Sequence, residues 1–313
     1  MVALLKSALR LTWSQARRLF EQNRVRQGPR LCRDPQSRMR AGQKIRVQLE
    51  DKKAAPVLVA APKKQQPVLS GPQPVLRFVD DQIVVVDKPA GLTTMRHAHE
   101  AREFGKRSQR FLPTTLAEML PEFLQSRGKG RGRVIAVHRL DRDTSGLVVF
   151  ARTEAAARHL GKQFREHTSD RTYQAIVRGQ AKAERIESNL VADRGDGRRG
   201  TMPGDEHQAI THVSVVEQLG GFTLVGCRLE TGRTHQVRIH LGERGTPICG
   251  ERIYDRPLHG APLPDKSGAE RLALHAATLA IDHPASGKRM SWTAAMPADM
   301  ERLLRKLRGN QVR

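Results

Sequence analysis

The chain has 313 residues, with 55 Lys and Arg against 32 Asp and Glu and a formal charge of +23 at pH 7. That length allows one large domain or two, and that charge surrounds the molecule with a field attractive to polyanions, nucleic acid foremost. The three cysteines, Cys32, Cys227 and Cys249, include no Cys-x-x-Cys pair, which argues against a disulfide framework or a zinc ribbon and suits a reducing cytoplasm. Residues 1–6 hold no long apolar core leading to a small-residue cleavage site, and no run of about 18 apolar residues follows, so neither secretion nor membrane spanning is expected.

Residues 1–50 carry twelve Lys or Arg against three Asp or Glu yet keep structural periodicity, which points to a folded basic module and not a tail. Thr12 or Ser14 can cap a helix through residue 20, with Ala16, Leu19 and Phe20 on one face and the arginines largely on the other. Gly28 and Pro29 break it. Residues 44–49 then alternate polar and apolar, as a half-buried strand does. This small α/β-type arrangement resembles the RNA-binding domain named after ribosomal small-subunit protein four. Arg17, Arg18 and Arg24 become candidates for phosphate contacts, which position RNA without reading its sequence. An ordinary basic helix and hairpin packed on a larger domain fits the same residues. Residues 51–75, rich in Pro, Lys and Ala, read as a semi-extended linker.

Beyond the linker, β-branched runs at 75–79 and 83–86 flank Asp80 and Asp81, a hairpin signal. Residues 96–133 are charged and glycine-rich, with a short helix expected over 115–120. The tract ends in the basic glycine stretch 127–133, where Lys129 and Arg131 are candidate RNA contacts. A solvated loop and an RNA clamp share that composition, and both readings stay open. Residues 134–137 and 147–151 read as buried strands flanking the polar segment 138–146. Asp141 therefore falls in a loop on a rigid scaffold, between Arg139 and Arg142, whose charges favour an ionised carboxylate. The pattern Asp141, Asp143, Ser145, Gly146 also opens like a calcium loop, but the twelfth position is Arg152 where a bidentate Glu is required, and the flanks are strand-like. A two-metal nuclease is disfavoured by the adjacent arginines.

The segment HRLDRDTSG at 138–146 resembles the central motif of the RluA-type pseudouridine synthases. Further segments agree in the family's order: DKPAGL at 87–92, RTY at 171–173, GRTHQVRIH at 232–240, PICG at 247–250 and LHA at 274–276. The likeness spans about residues 76–300. It implies isomerisation of uridine to pseudouridine in RNA, with Asp141 as the catalytic carboxylate, acting as nucleophile or base. It further implies that Arg139 occupies the space left by the flipped base, Tyr173 packs on the base, Arg238 pairs with Asp141, and Leu274 walls the base pocket. Arg233 is a nearby alternative to Arg238. Asp87, where Asn is common, and residues 93–97 depart from the family's usual pattern, which bears on substrate identity.

Read as a strand, residues 234–240 would put Arg238 on one face with Gln236 and His240, while Val237 and Ile239 point to the core. His138, His235 and His275 are expected to bond backbone or RNA, not metal. The expected architecture is α+β: a small basic RNA-binding domain at 1–50, a linker at 51–75 and a catalytic domain at 76–308 built on a mixed, mostly antiparallel sheet with flanking helices. No cofactor or metal is called for, the chain is expected to act as a monomer, and rRNA is favoured over tRNA as substrate. A non-catalytic RNA-binding or ribosome-assembly factor on the same fold is the competing reading.

Overall fold

A computed structural model of the chain describes residues 5, 9, 19, 20, 24–27, 30–32, 45–48, 73–96, 113–130, 132–194, 198–204 and 207–309. The chain divides into two compact units, residues 1–68 and 69–313. In the first, β1 (Val25–Gln27) pairs antiparallel with both β2 (Arg30–Leu31) and β3 (Ile45–Val47). The alternation read over 44–49 is realised in β3, where Ile45 and Val47 are half-buried and Arg46 is exposed. Leu19 and Phe20 are helical and buried, clustered with Leu5, Val25 and Cys32. The chain is already extended at Val25, so the helix ends before Gly28 and Pro29, earlier than the sequence suggested; those two residues lie outside the described ones.

The second unit is an eleven-stranded sheet with helices on both faces. Its strands are β4 (Val75–Val79), β5 (Ile83–Lys88), β6 (Ile135–Ala136), β7 (Ser145–Ala151), β8 (Asp170–Arg178), β9 (Glu184–Val191), β10 (Gly200–Thr201), β11 (Gln208–Gln218), β12 (Phe222–Leu229), β13 (Leu274–Asp282) and β14 (Arg289–Thr293). The path runs β10-β9-β11-β12-β8-β13-β7-β5-β4, with β14 on β13 and β6 on β7. Among the described residues β13 and β7 make the one parallel pairing, His275 opposite Ser145, and the rest are antiparallel. This is the α+β, mixed and mostly antiparallel sheet expected.

The β4–β5 hairpin forms as read, its turn held by Asp80 Oδ1, which accepts from the backbone N–H of Gln82 and Ile83 at 2.8 Å each. Residues 83–86 and 147–150 are buried throughout because the sheet is covered on both sides, which is why they are continuous apolar runs and not alternating ones. Val84, Val86, Val148 and Phe150 join one core with α1 (Leu116–Gln125), α3 (Gln236–Glu243) and α4 (Ala298–Gly309). Ile83, Val85, Leu147 and Val149 join the other, with Leu160 of α2 (Glu154–Arg165). The helix expected over 115–120 is α1; Thr115 precedes it and its N–H is accepted by Glu118 Oε2 at 2.9 Å, the back-bond that starts such helices.

Two elements differ from the reading. The strand expected over 134–137 shrinks to the half-buried β6, and β7 starts two residues early, at Ser145. Residues 236–243 form the helix α3, not a strand. His235 adopts a left-handed φ of 59°, which turns the chain out of an extended path. Gln236 Nε2 and His240 Nδ1 both meet Thr211 Oγ1 of β11, at 3.0 and 2.9 Å. These two side chains are one helical turn apart, so polar residues that alternation assigned to an open cleft are buried and paired.

Candidate active site

Asp141 sits in the loop between β6 and β7, as expected, and the segment 88–94 after β5 grips that loop on both sides of it. Thr94 Oγ1 donates to Leu140 O at 2.8 Å and accepts from Leu140 N at 3.2 Å. Arg142 O accepts from Gly91 N at 2.8 Å and from Lys88 Nζ at 3.1 Å. Lys88 is fully buried and also donates to Pro89 O and Leu92 O at 3.0 and 2.8 Å. Burial pushes its pKa down to about 7, against the raising influence of Asp141 and Asp143. Three carbonyl acceptors need three N–H donors, so the geometry selects the ammonium form. Downstream, Gly146 has φ 116°, and a Cβ there would lie 2.3 Å from Ala276 O; only glycine lets β7 approach β13 at the end of the loop.

Asp141 Oδ2 accepts from Arg238 Nη1 at 3.1 Å. The other edge of that guanidinium is clamped by Glu251, which accepts from Nε at 2.7 Å and from Nη2 at 2.9 Å. Glu251 Oε1 also takes backbone N–H bonds from Arg252, Ile253 and Tyr254. Burial opposes charge on Glu251, but Arg238 and those amides outweigh it and hold the carboxyl below its usual range. Burial likewise opposes the charge on Arg238, and Glu251 and then Asp141 outweigh it, so Arg238 is held above its ordinary value. A fork-to-fork contact of this kind sets the plane of the guanidinium, and with it the direction from which Asp141 is approached. Arg142, the next residue along, donates from Nε to Gly91 O at 3.1 Å.

Arg139, Asp141, Tyr173, Arg238 and Leu274 all line one pocket of about 130 Å³, together with Leu140, Leu229, Arg233 and His235. Tyr173 and Leu274 are buried on β8 and β13. Burial raises the Tyr173 pKa, with Asp141 adding and Arg171 opposing, so its hydroxyl stays protonated at neutral pH. Arg233 reaches Gln208 O at 3.2 Å, not Asp141.

Of the other candidates, Lys129 is exposed and does not line this pocket, while its carbonyl accepts from Arg152 Nη2 at 3.3 Å. Arg24 belongs to the first unit and is half-buried. Arg17, Arg18 and Arg131 lie outside the described residues. Two of the three motif histidines bond as expected or close to it. His138 Nε2 accepts from Val149 N at 3.0 Å, and His275 Nδ1 meets Ser145 Oγ at 3.0 Å.

Sequence reasoning missed Glu251 and undervalued His235. Glu251 directly follows the PICG segment at 247–250, and that adjacency was the available signal. His235 Nδ1 meets Tyr254 Oη at 2.8 Å, and its Nε2 lies 3.7 Å from Asp141 Oδ1. Nothing local in the sequence joins Tyr254 to that histidine. Among the described residues no group of three or more His, Cys, Asp or Glu side chains is placed to hold a metal.

Residues 82–243 match the family described as RNA pseudouridylate synthase. A ribosomal large subunit pseudouridine synthase D of Zymomonas mobilis is 35% identical over 238 residues, covering 74% of this chain and 71% of that protein. An uncharacterized RNA pseudouridine synthase of Synechocystis sp. is 32% identical over 303 residues, covering 95% of this chain and 85% of that one. Human RNA pseudouridylate synthase domain containing 4, a solved structure, aligns with a TM-score of 0.58 at 21% identity over 75% of this chain and 93% of its own, a likeness of fold. The chain belongs to the RNA pseudouridylate synthase family, in its RluA-type branch, and is an isomerase.

Proposed function

We propose that the chain converts specific uridines of large-subunit ribosomal RNA to pseudouridine, with Asp141 as the reacting carboxylate. The observation that carries this reading is a lone carboxylate in a small pocket, one oxygen held by Arg238 at 3.1 Å, facing Tyr173 and Leu274. The target base has to leave its stack to reach that pocket, at a cost of about a few kcal/mol returned by contacts inside it. Tyr173 and Leu274 supply the apolar walls, and Arg139, which lines the same pocket, fills the space the base leaves. Asp141 then acts at the ribose, as nucleophile at the anomeric carbon or as base at its neighbour. The bond from ribose to base nitrogen breaks, the base turns, carbon 5 joins the ribose, and the proton on carbon 5 is released. Nothing is oxidised or reduced, so no redox cofactor is called for.

Large-subunit RNA is favoured over tRNA because relatives from Zymomonas, Nitrosomonas and Neisseria are named ribosomal large subunit pseudouridine synthase D. The basic first unit is assigned a docking role, with Arg17, Arg18 and Arg24 on phosphates; the charge excess of residues 1–50 supports it. Lys129 and Arg131 are assigned to contacts with the RNA. As part of this reading, residues 1–50 form the RNA-binding domain and residues 76–308 the catalytic domain, joined by the linker 51–75. Mapping pseudouridines in RNA from cells with and without the gene tests the substrate: sites lost from large-subunit rRNA are expected, and sites lost from tRNA alone would overturn this choice.

A further inference from the structure

Asp141 has two carboxylate oxygens, and the pocket treats them differently. Oδ2 is engaged by Arg238, while Oδ1 faces His235 Nε2 at 3.7 Å. That separation is an electrostatic contact, longer than a hydrogen bond, and a small movement of either side chain closes it. His235 stands at the start of α3 with φ 59°, in a region that L-residues seldom occupy and that His, Asn and Asp tolerate best. Its ring is locked from behind by Tyr254, whose hydroxyl lies 2.8 Å from Nδ1 and whose ring packs edge-on at 5.5 Å between centroids. Tyr254 is itself buried, and its own backbone N–H is held by Glu251, the residue that clamps Arg238. The two groups that face Asp141 are thus seated through one neighbouring segment.

Resting on the reading of Asp141 as the reacting carboxylate, we propose that His235, seated by Tyr254, is a positioning residue that orients the Oδ1 oxygen of Asp141 toward the ribose. With the Tyr254 hydroxyl donating to Nδ1, the neutral ring carries its proton on Nε2, the atom that lies 3.7 Å from Oδ1. Burial favours the neutral ring, since it holds His235 below its usual pKa; Asp141 and Glu251 oppose this, and Arg238 and Arg199 add to it. Arg238 and His235 then fix the carboxylate from two directions, which a single ion pair does not do.

The test is tritium release from large-subunit rRNA transcribed with uridine tritiated at carbon 5, in single turnovers with enzyme in excess. His235→Asn keeps a residue suited to the left-handed backbone but does not reach Oδ1. His235→Gln places an amide N–H near the position of Nε2. His235→Asn is expected to slow release about 10- to 100-fold, the loss of one hydrogen bond to a charged group, with RNA affinity within about twofold of wild type. His235→Gln is expected to recover a large part of that rate, and Tyr254→Phe to slow it about 2- to 10-fold. His235→Asn combined with Tyr254→Phe should be no slower than His235→Asn alone, because the tyrosine acts through the histidine. An active wild type with His235→Asn equally fast overturns the inference, as does a double variant whose losses multiply. Should the Asn variant fail to fold, Tyr254→Phe at the wild-type rate overturns it by itself. A wild type that releases no tritium overturns the functional reading beneath it, a distinguishable result.

Discussion

The ionisable side chains around Asp141 divide into those that must be charged and those that must be neutral. Glu251 and Arg238 sustain each other's charge in a buried fork, whereas His240 is buried and His138 half-buried, neither with a carboxylate partner. Burial pushes His138 down to about 3 and His240 down to about 4, with Arg171 and Arg244 adding to the effect. The unfolded chain binds these protons near pH 6.5 and the folded chain does not. Their contribution is therefore complete above pH 6.5 and is lost as pH falls toward about 4 for His240 and about 3 for His138. Each site contributes a slope of up to about 1.4 kcal/mol per pH unit within its window. Urea melts between pH 7 and pH 4 should show that decline, and His138→Gln should flatten it. An unchanged slope in that variant would contradict a neutral His138 in the folded chain.

At the level of elements, the sheet strands were legible because their chemistry is local: β-branched runs, a turn at Asp80 and Asp81, and burial on two faces all leave marks in the sequence. The helix α3 left misleading ones. Its polar residues Gln236 and His240 satisfy each other's neighbourhood through Thr211, a contact 25 and 29 residues away, so a period-two pattern concealed a helix. Arg238, read as the partner of Asp141 from a strand, donates to it at 3.1 Å but projects from a helix, aimed by Glu251. The loop that carries Asp141 shows the same dependence on distant partners. Thr94 holds Leu140 through both its N–H and its carbonyl, across 46 residues. Thr94→Val preserves shape and removes both bonds, leaving a buried N–H unpaired. A loss of about 1–3 kcal/mol is expected in denaturant unfolding, with slower turnover at unchanged RNA affinity. Normal stability in this variant would show that the 88–94 segment does not hold the loop.

Over the whole molecule, the charge of +23 and the pocket address different parts of one task. On the proposed reading, phosphate contacts spread over a basic surface bring RNA to the protein, and a small pocket with one carboxylate selects a single nucleotide. Composition motivates the first, and the ordered motifs named most of the residues that line the pocket, because they sit in short contiguous segments. What composition and motifs did not announce was how residues far apart in sequence share one carboxylate. The central claim is that Asp141 carries out the isomerisation, and it meets its most direct test in tritium release from large-subunit rRNA labelled at uracil carbon 5, comparing wild type with Asp141→Asn. The account predicts stoichiometric release by wild type and a rate lowered at least about 10⁴-fold in the variant, the scale on which loss of a reacting group is felt, with RNA binding retained. Release by Asp141→Asn at a rate near that of wild type would contradict it.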